Sequence, residues 1–348
     1  MMHKGRIETI IRWTLGSVFI FSGIVKCIDP VGTSVFVEKY LATYSLESLL
    51  PAALPIAIAL AVIEFTLGQM LISGRVHRLT AIATTLFMAV FTLITLLSAT
   101  VLPIGDCGCF GDAVKLTPWQ TFAKNVVLLP MAIYLLCGAK AERFNILSLV
   151  VGVILSLGIN LYALRYGPIV DFMPYDEGVN LREAVERDRG ALDEQRAVQL
   201  LFRRTATGEE LMFDSDDATP WTDDGLEYVG THNGYDLSAD ELPFAEFAIS
   251  DAMGEDVTLD LLGRESLTLL TVYDIEALER HLDDAQRILE GDVVVVTSVS
   301  TERVKELLGT DCYTIDAMTL RSVIRSRVGV VELSEGTIKR KCDVRDYF

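Results

Sequence analysis

Two cysteines separated by one glycine, Cys107-Gly108-Cys109, are the most pointed chemical feature of this sequence. Glycine lets the backbone fold tightly enough to bring the two sulfurs together in so small a ring. Such a ring is strained, and strained, exposed disulfides are more oxidising and exchange readily. Cys27 is placed to serve as an exchange partner or resolving thiol, because it ends an apolar segment at the same membrane face. Two other readings stay open for the pair: a structural disulfide in a tight loop, and half of a metal site. Zinc wants four Cys or His ligands, and the nearest histidine, His77, falls on the opposite side by the topology below. Metal is the weakest of the three.

Ionisable groups inside apolar segments are the second signal. Glu64 lies within a long apolar run, roughly 18 Å from its outer end at about 1.5 Å per residue. A carboxyl at that depth must pair with a polar neighbour, stay protonated or line a wet cavity, and it marks a functional site by default. Lys26 and Lys124, with Asn125 beside the latter, sit near the outer ends of their segments. Snorkelling to the interface accounts for both lysines as well as a functional role does.

The elements that carry these residues follow from hydropathy. A bilayer core of about 30 Å needs about 20 mostly apolar residues per helix. Windows near 8–28, 52–73, 80–102, 119–138 and 144–163 meet that length. The first is long and lacks an Ala-x-Ala-like cleavage site, so it reads as a retained signal-anchor helix. Arg6 and Arg12, Arg75 and Arg78, and Lys140 and Arg143 then share one side of the membrane. By the positive-inside rule the N-terminus is cytoplasmic, in a bacterial inner membrane, and everything after the fifth span is periplasmic.

Charge supports the division. Residues 1–163 hold 11 Lys+Arg and 8 Asp+Glu, whereas residues 164–348 hold 19 and 40. A mean hydropathy of +0.37 beside a net charge of −18 therefore describes a membrane part joined to an acidic polar part. A simple cytosolic enzyme is excluded, and a surface that repels phosphate argues against nucleic acid. The lipid bilayer is the first partner.

Several motifs converge on a known family. They are Phe21-Ser22-Gly23-Ile24-Val25-Lys26, Ile63-Glu64-Phe65-Thr66-Leu67-Gly68, and Asp106-Cys107-Gly108-Cys109-Phe110-Gly111 followed by Trp119 and Lys124-Asn125. Over residues 8–138 the chain resembles the DoxX-like superfamily, in the branch of the MauE methylamine-utilisation membrane proteins. The resemblance implies a four-helix membrane bundle over 1–140, with a fifth transmembrane helix at 141–165. It also implies a supporting role in disulfide formation on exported proteins, with a thioredoxin-like partner.

Past the fifth span, residues 166–240 read as a linker with a small β-rich region, and a helical stretch near 181–189. From 241 to 348 the pattern is α/β: a hairpin over 244–259, strands at 267–273 and 293–298, helices at 276–289 and 302–308, and a closing strand pair near 328–333 and 337–340. The run Phe247, Ile249, Asp251, Gly254, Val257 and Leu259 resembles the opening of peroxiredoxin-like and TlpA-like members of the thioredoxin superfamily. The tail as a whole resembles a Bacteroidetes-type fusion.

The departures from that family carry more weight. Asp274-Ile275-Glu276-Ala277 stands where the Cys-x-x-Cys belongs, and Arg327-Val328-Gly329 where the cis-proline belongs. Without a nucleophile the usual dithiol exchange cannot run. Cys312 and Cys342 read first as a stabilising disulfide, with a non-standard redox site or two unpaired thiols as alternatives.

Two functions follow. One is a membrane thiol–disulfide component in which Cys107 and Cys109 pass electrons from exported thiol clients to an acceptor such as a quinone. The other is a non-catalytic envelope scaffold whose degenerate thioredoxin-like domain binds a client or oxidoreductase. A transporter ranks third, since no inverted repeat accompanies Glu64.

Overall fold

The computed structural model describes residues 2–73, 77–101, 108–139, 145–196, 198–214, 217, 219–223, 225–233 and 242–348. Asp106, Cys107, Arg75, Lys140 and Arg143 lie outside the described residues. The first half runs α1 (Met2–Ile28), α2 (Pro30–Thr43), a 3-10 stretch (Glu47–Ala52), α3 (Ala53–Ile72), α4 (Arg78–Thr100), β1 (Cys109–Asp112), α5 (Pro118–Gly138) and α6 (Ile146–Tyr166). Among the described residues, α1, α3, α4, α5 and α6 are long and apolar enough to cross a membrane. Their outward side chains, such as Leu86, Val127, Ile154 and Leu161, are exposed leucine, isoleucine and valine, as a lipid-facing surface requires.

Close packing of α1 on α3 sets the geometry of the bundle. A Cβ at Gly23 would lie 2.4 Å from the Phe65 backbone nitrogen, and one at Gly68 would lie 2.6 Å from that of Ile20. Small residues let two membrane helices touch backbone to backbone. At that separation side chains on the α1 face reach α3 directly.

Residues 29–51, which hydropathy assigns only to an outer segment, contain α2. At 14 residues it is too short to span. Asp29 caps it, accepting from Gly32 N at 2.7 Å, and Pro30 occupies the first turn, where its missing N–H costs nothing. The Asp-Pro pair was a legible start signal.

After α6 come α7 (Leu181–Arg196), β2 (Val198–Arg204), β3 (Glu210–Asp214) and β4 (Leu226–Asn233), then β5 (Ile249–Ser250), α8 (Thr258–Leu262), β6 (Ser266–Val272), α9 (Ile275–Arg280) and α10 (Leu282–Ile288). The chain closes with β7 (Val293–Thr297), α11 (Thr301–Leu308), β8 (Cys312–Ile315), α12 (Ala317–Val323), β9 (Val328–Ser334) and β10 (Thr337–Asp343). Strands β2, β3 and β4 form a three-stranded antiparallel sheet in the order β3-β2-β4. The other six form one mixed sheet in the order β10-β9-β6-β7-β8-β5, with β6, β7 and β8 parallel. Alternation along β6 sends Leu267 and Leu269 to one core face and Leu270 and Val272 to the other. Helices cover both faces, an arrangement consistent with an α/β thioredoxin-like domain.

Four details differ from the sequence reading. Residues 257–259 do not return as a hairpin strand; Thr258–Leu262 is helical, and the Thr258 hydroxyl accepts from Ile249 N at 2.7 Å. The helix expected over 276–289 breaks at His281, the cap shared by α9 and α10. Helix α7 is no part of a linker: Leu181, Ala184 and Val185, spaced three and four apart, are buried in the sheet's core, and Asp188 accepts from Phe244 N at 3.1 Å. Strand β8 and helix α12 were not anticipated.

A disulfide between Cys312 and Cys342 is ruled out by topology. Cys312 is on β8 and Cys342 on β10, with β7, β6 and β9 between them. Four strand spacings of about 4.8 Å hold them far beyond the roughly 7 Å that a disulfide bridges. Both are free thiols, and burial raises each above its ordinary value of 9.0. Cys137 is a free thiol exposed on the last turn of α5.

Candidate functional site: a buried ion pair holding the cysteine segment

Ser22 and Lys26 lie one helical turn apart on α1, facing Glu64 of α3. The Lys26 ammonium donates to Glu64 Oε2 at 2.8 Å, to Ser22 Oγ at 2.8 Å and to the Cys109 carbonyl at 2.6 Å. Those three bonds use all three of its N–H donors. The Ser22 hydroxyl lies 2.7 Å from Glu64 Oε2 and 2.6 Å from the Cys109 carbonyl, and its one proton serves either. Lys26 is 3% exposed and Glu64 4% exposed. Lys26 therefore does not snorkel. Its charge is neutralised where it stands, and the cysteine segment is part of the hydrogen-bonded cluster.

Glu64 is deep with respect to the start of α3 but level with the end of α1, because α2 and the first half of α3 stand above that end. The cysteine segment thus dips into the bundle. Gly108 has φ +61°, in the left-handed region that glycine tolerates, and a Cβ there would sit 2.9 Å from the Phe36 ring of α2. Phe110 packs edge-on against Phe21 at 5.3 Å, and the Lys124 ammonium stands 4.2 Å from the Phe110 ring centroid. Asn125 Nδ2 donates to Thr95 Oγ1 at 3.3 Å, tying α5 to α4 beside the site.

Cys109 borders two cavities. The smaller, about 40 Å³, is also lined by Ser22, Glu64, Lys124 and Asn125, so it joins the cluster to both polar residues of α5. The larger, about 180 Å³, is almost wholly apolar and runs between α2, α3 and α4, past Phe36, Tyr40, Leu60 and Phe91. Lys26 and Cys109 form its polar end.

Residues 4–138 match the family model described as Methylamine utilisation protein MauE. The α1–α5 region is a MauE-family domain. A curated relative, Protein TlpB of Flavobacterium psychrophilum, is 29% identical over 168 residues, which are 44% of this chain and 43% of that protein. The chain thus covers less than half the length of that relative. No solved structure matches.

Within the MauE-family domain the residues singled out in the sequence divide into two groups. Lys26, Glu64, Cys109, Lys124 and Asn125 come together around the cluster and the smaller cavity, with Ser22 added. Only the motif Phe21–Lys26 hinted at Ser22, through its spacing of four from Lys26. Cys27 is elsewhere: it is fully buried on another face of α1, accepts from Asn160 Nδ2 of α6 at 3.2 Å, and lines neither cavity. Among the described residues no group of three or more His, Cys, Asp or Glu could hold a metal ion.

The C-terminal mixed-sheet domain docks on the same end of the MauE-family domain. Arg321 of α12 makes a two-pronged contact with the Glu38 carboxylate of α2. Arg325, 7% exposed, joins Asp29 at 2.9 Å and Asp171 at 3.0 Å, and Lys341 completes the network on Asp171 at 2.6 Å. Beside this contact lies the position that a thioredoxin would use for chemistry. There Asp274 caps α9, accepting from Ala277 N at 3.0 Å, and binds Arg327 at 3.1 Å. Burial pushes the neighbouring Tyr273 phenol up to about 12, although Arg321, Arg327 and Arg325 pull it down. Its hydroxyl donates to the Arg325 carbonyl at 2.5 Å. This corner is a polar latch, with residues 274–277 carrying no cysteine.

Proposed function

We propose that the protein is a membrane component of thiol–disulfide handling, with Cys107 and Cys109 as the exchanging pair. The observation that carries this reading is the grip of the Lys26–Glu64–Ser22 cluster on the Cys109 carbonyl. Burying an ion pair in a bundle is expensive, and here its remaining hydrogen bonds are spent on holding one cysteine-bearing segment. In the forward reaction a client thiolate attacks the Cys107–Cys109 disulfide and displaces one sulfur as thiolate. The client's second thiol then resolves the mixed disulfide, leaving the client oxidised and the pair reduced. Reoxidation sends two electrons and two protons to an acceptor such as a quinone, which becomes the quinol. The apolar cavity ending at Cys109 supports an acceptor of that kind.

The Lys/Arg pattern supports a cytoplasmic N-terminus and a periplasmic C-terminal domain. The docking of α12 on α2, at the end of the bundle that carries Cys109, supports a shared compartment for cysteine segment and domain. Cys107→Ser and Cys109→Ser should each abolish client oxidation and trap mixed disulfides on a non-reducing gel after acid quench and alkylation. Full activity with no trapped species would leave a scaffold. That second reading is favoured by one observation, the capping and ion-pairing role of Asp274 at the expected nucleophile position.

A further inference from the structure

We infer that the cleft between the bundle and the outer domain binds the phosphate headgroup of an anionic phospholipid. The cleft holds about 490 Å³ and is bordered by six arginines, Arg165, Arg280, Arg321, Arg325, Arg327 and Arg345, against two carboxylates, Asp274 and Asp343. Arginine is the side chain best suited to a phosphate, since its planar fork donates two parallel hydrogen bonds.

Four of the arginines are already engaged with carboxylates. Arg321 and Arg325 hold α2, Arg327 binds Asp274, and Arg345 binds Asp343 at 2.6 Å. They form the fixed wall. Among the described residues, the Arg280 side chain donates through Nε to the Glu276 carbonyl at 3.0 Å, and Arg165 stands 3.9 Å from the Asp346 carboxylate. Both guanidinium groups keep N–H donors to offer, and both belong to exposed residues on the rim.

The floor decides the class of ligand. Leu54 from the first turn of α3, with Leu161 and Leu164 from the last turns of α6, lines the same cleft. Leu161 is 65% exposed and continues the lipid-facing surface of α6. A cationic roof over an apolar floor at the end of two membrane helices matches a phosphodiester with acyl chains, whereas a free anion has no use for the leucines.

The test uses the full chain purified in detergent and read by native mass spectrometry. Phosphatidylglycerol, phosphatidylcholine and inorganic phosphate are offered separately. Phosphatidylglycerol should be retained at least about tenfold better than phosphatidylcholine, and inorganic phosphate should neither bind measurably nor displace it. The double variant Arg165→Gln/Arg280→Gln should lose about tenfold in retention. Arg303→Gln, which removes an exposed arginine of α11 that does not line the cleft, should lose nothing. Equal retention of the two lipids, displacement by phosphate alone, or an unchanged double variant would each overturn the proposal. The wild-type lipid comparison stands even if the double variant is recovered poorly.

Discussion

The MauE-family bundle and the C-terminal mixed-sheet domain, whose architecture is consistent with a thioredoxin-like fold, differ in what their polar groups hold. The outer domain has the mixed sheet and covering helices of that fold, but Asp274 and Arg327 pair where the chemistry would be. Its two thiols sit on strands at opposite parts of the sheet. The bundle has no such fold, yet it commits a buried lysine, a buried glutamate and a serine to one cysteine-bearing turn. A fold and its usual chemistry are therefore separable, because function resides in a local constellation of groups rather than in the sheet that carries it.

The comparison breaks hardest at Lys26 and Glu64. Lys26→Met or Glu64→Leu alone should leave an unpaired buried charge and destabilise the bundle by about 3–5 kcal/mol, seen as collapse of membrane abundance on a blot. The double variant Lys26→Met/Glu64→Leu should recover much of the abundance but not client oxidation, since the Cys109 carbonyl is then left with the Ser22 hydroxyl and loses the charged donor. Glu64→Gln keeps the shape and an acceptor for Lys26 while removing the charge, so it should lose less protein than Glu64→Leu and still lose activity. Single variants as abundant and active as wild type would reduce the ion pair to an incidental contact.

Next in size is the joint between the regions. Arg325→Ala leaves Asp29 and Asp171 facing each other without the cation between them. A loss of about 2–4 kcal/mol is expected at the interface, read as faster limited proteolysis after residue 166 with the five helices still intact. Unchanged cleavage would show that the latch does not hold the domain.

Gly68→Leu addresses how the bundle brings its groups together. A side chain starting 2.6 Å from the Ile20 nitrogen must push α1 away from α3, at a cost of about 1–3 kcal/mol. Lys26 and Glu64 should separate with it, so activity should fall further than abundance does. Equal falls in both would mean that packing alone had been measured.

The smallest effect is expected from the outer thiols. Burial raises Cys312 and Cys342, so less thiolate is present at pH 8 than in a free cysteine. Alkylation of the full chain should be slower there and should accelerate only as pH rises past the ordinary value of 9.0. Cys312→Ser and Cys342→Ser should leave client oxidation unchanged. Alkylation faster than a model thiol at pH 8 would reveal a reactive site in the outer domain.

Legibility differed by region for physical reasons. Spans, charge division and core strands each depend on a run of neighbouring residues, so periodicity and hydropathy revealed α1, α3, α4, α5, α6, β6, β7, β9 and β10 within a few positions. Helix α2 hid because a short helix lying beside the bundle has no spanning-length signal, although Asp29-Pro30 announced its start. Helix α7 was legible near 181–189, but its burial was not: among acidic residues only Leu181, Ala184 and Val185 mark the face that enters the sheet's core.

The candidate site was half readable. Its residue types were visible in advance, since a carboxyl within an apolar run demands a partner whatever the fold. Which partner was a matter of three dimensions: Lys26 and Glu64 are 38 positions apart, and only the glycine contact between α1 and α3 makes them neighbours. The same holds for the separation of Cys312 from Cys342 and of Cys27 from Cys109, which follow from strand order and helix facing. Local order and membrane affinity are sums over adjacent residues and so reside in the sequence itself. Pairings between distant groups depend on how whole elements pack, and the tertiary structure alone decided those.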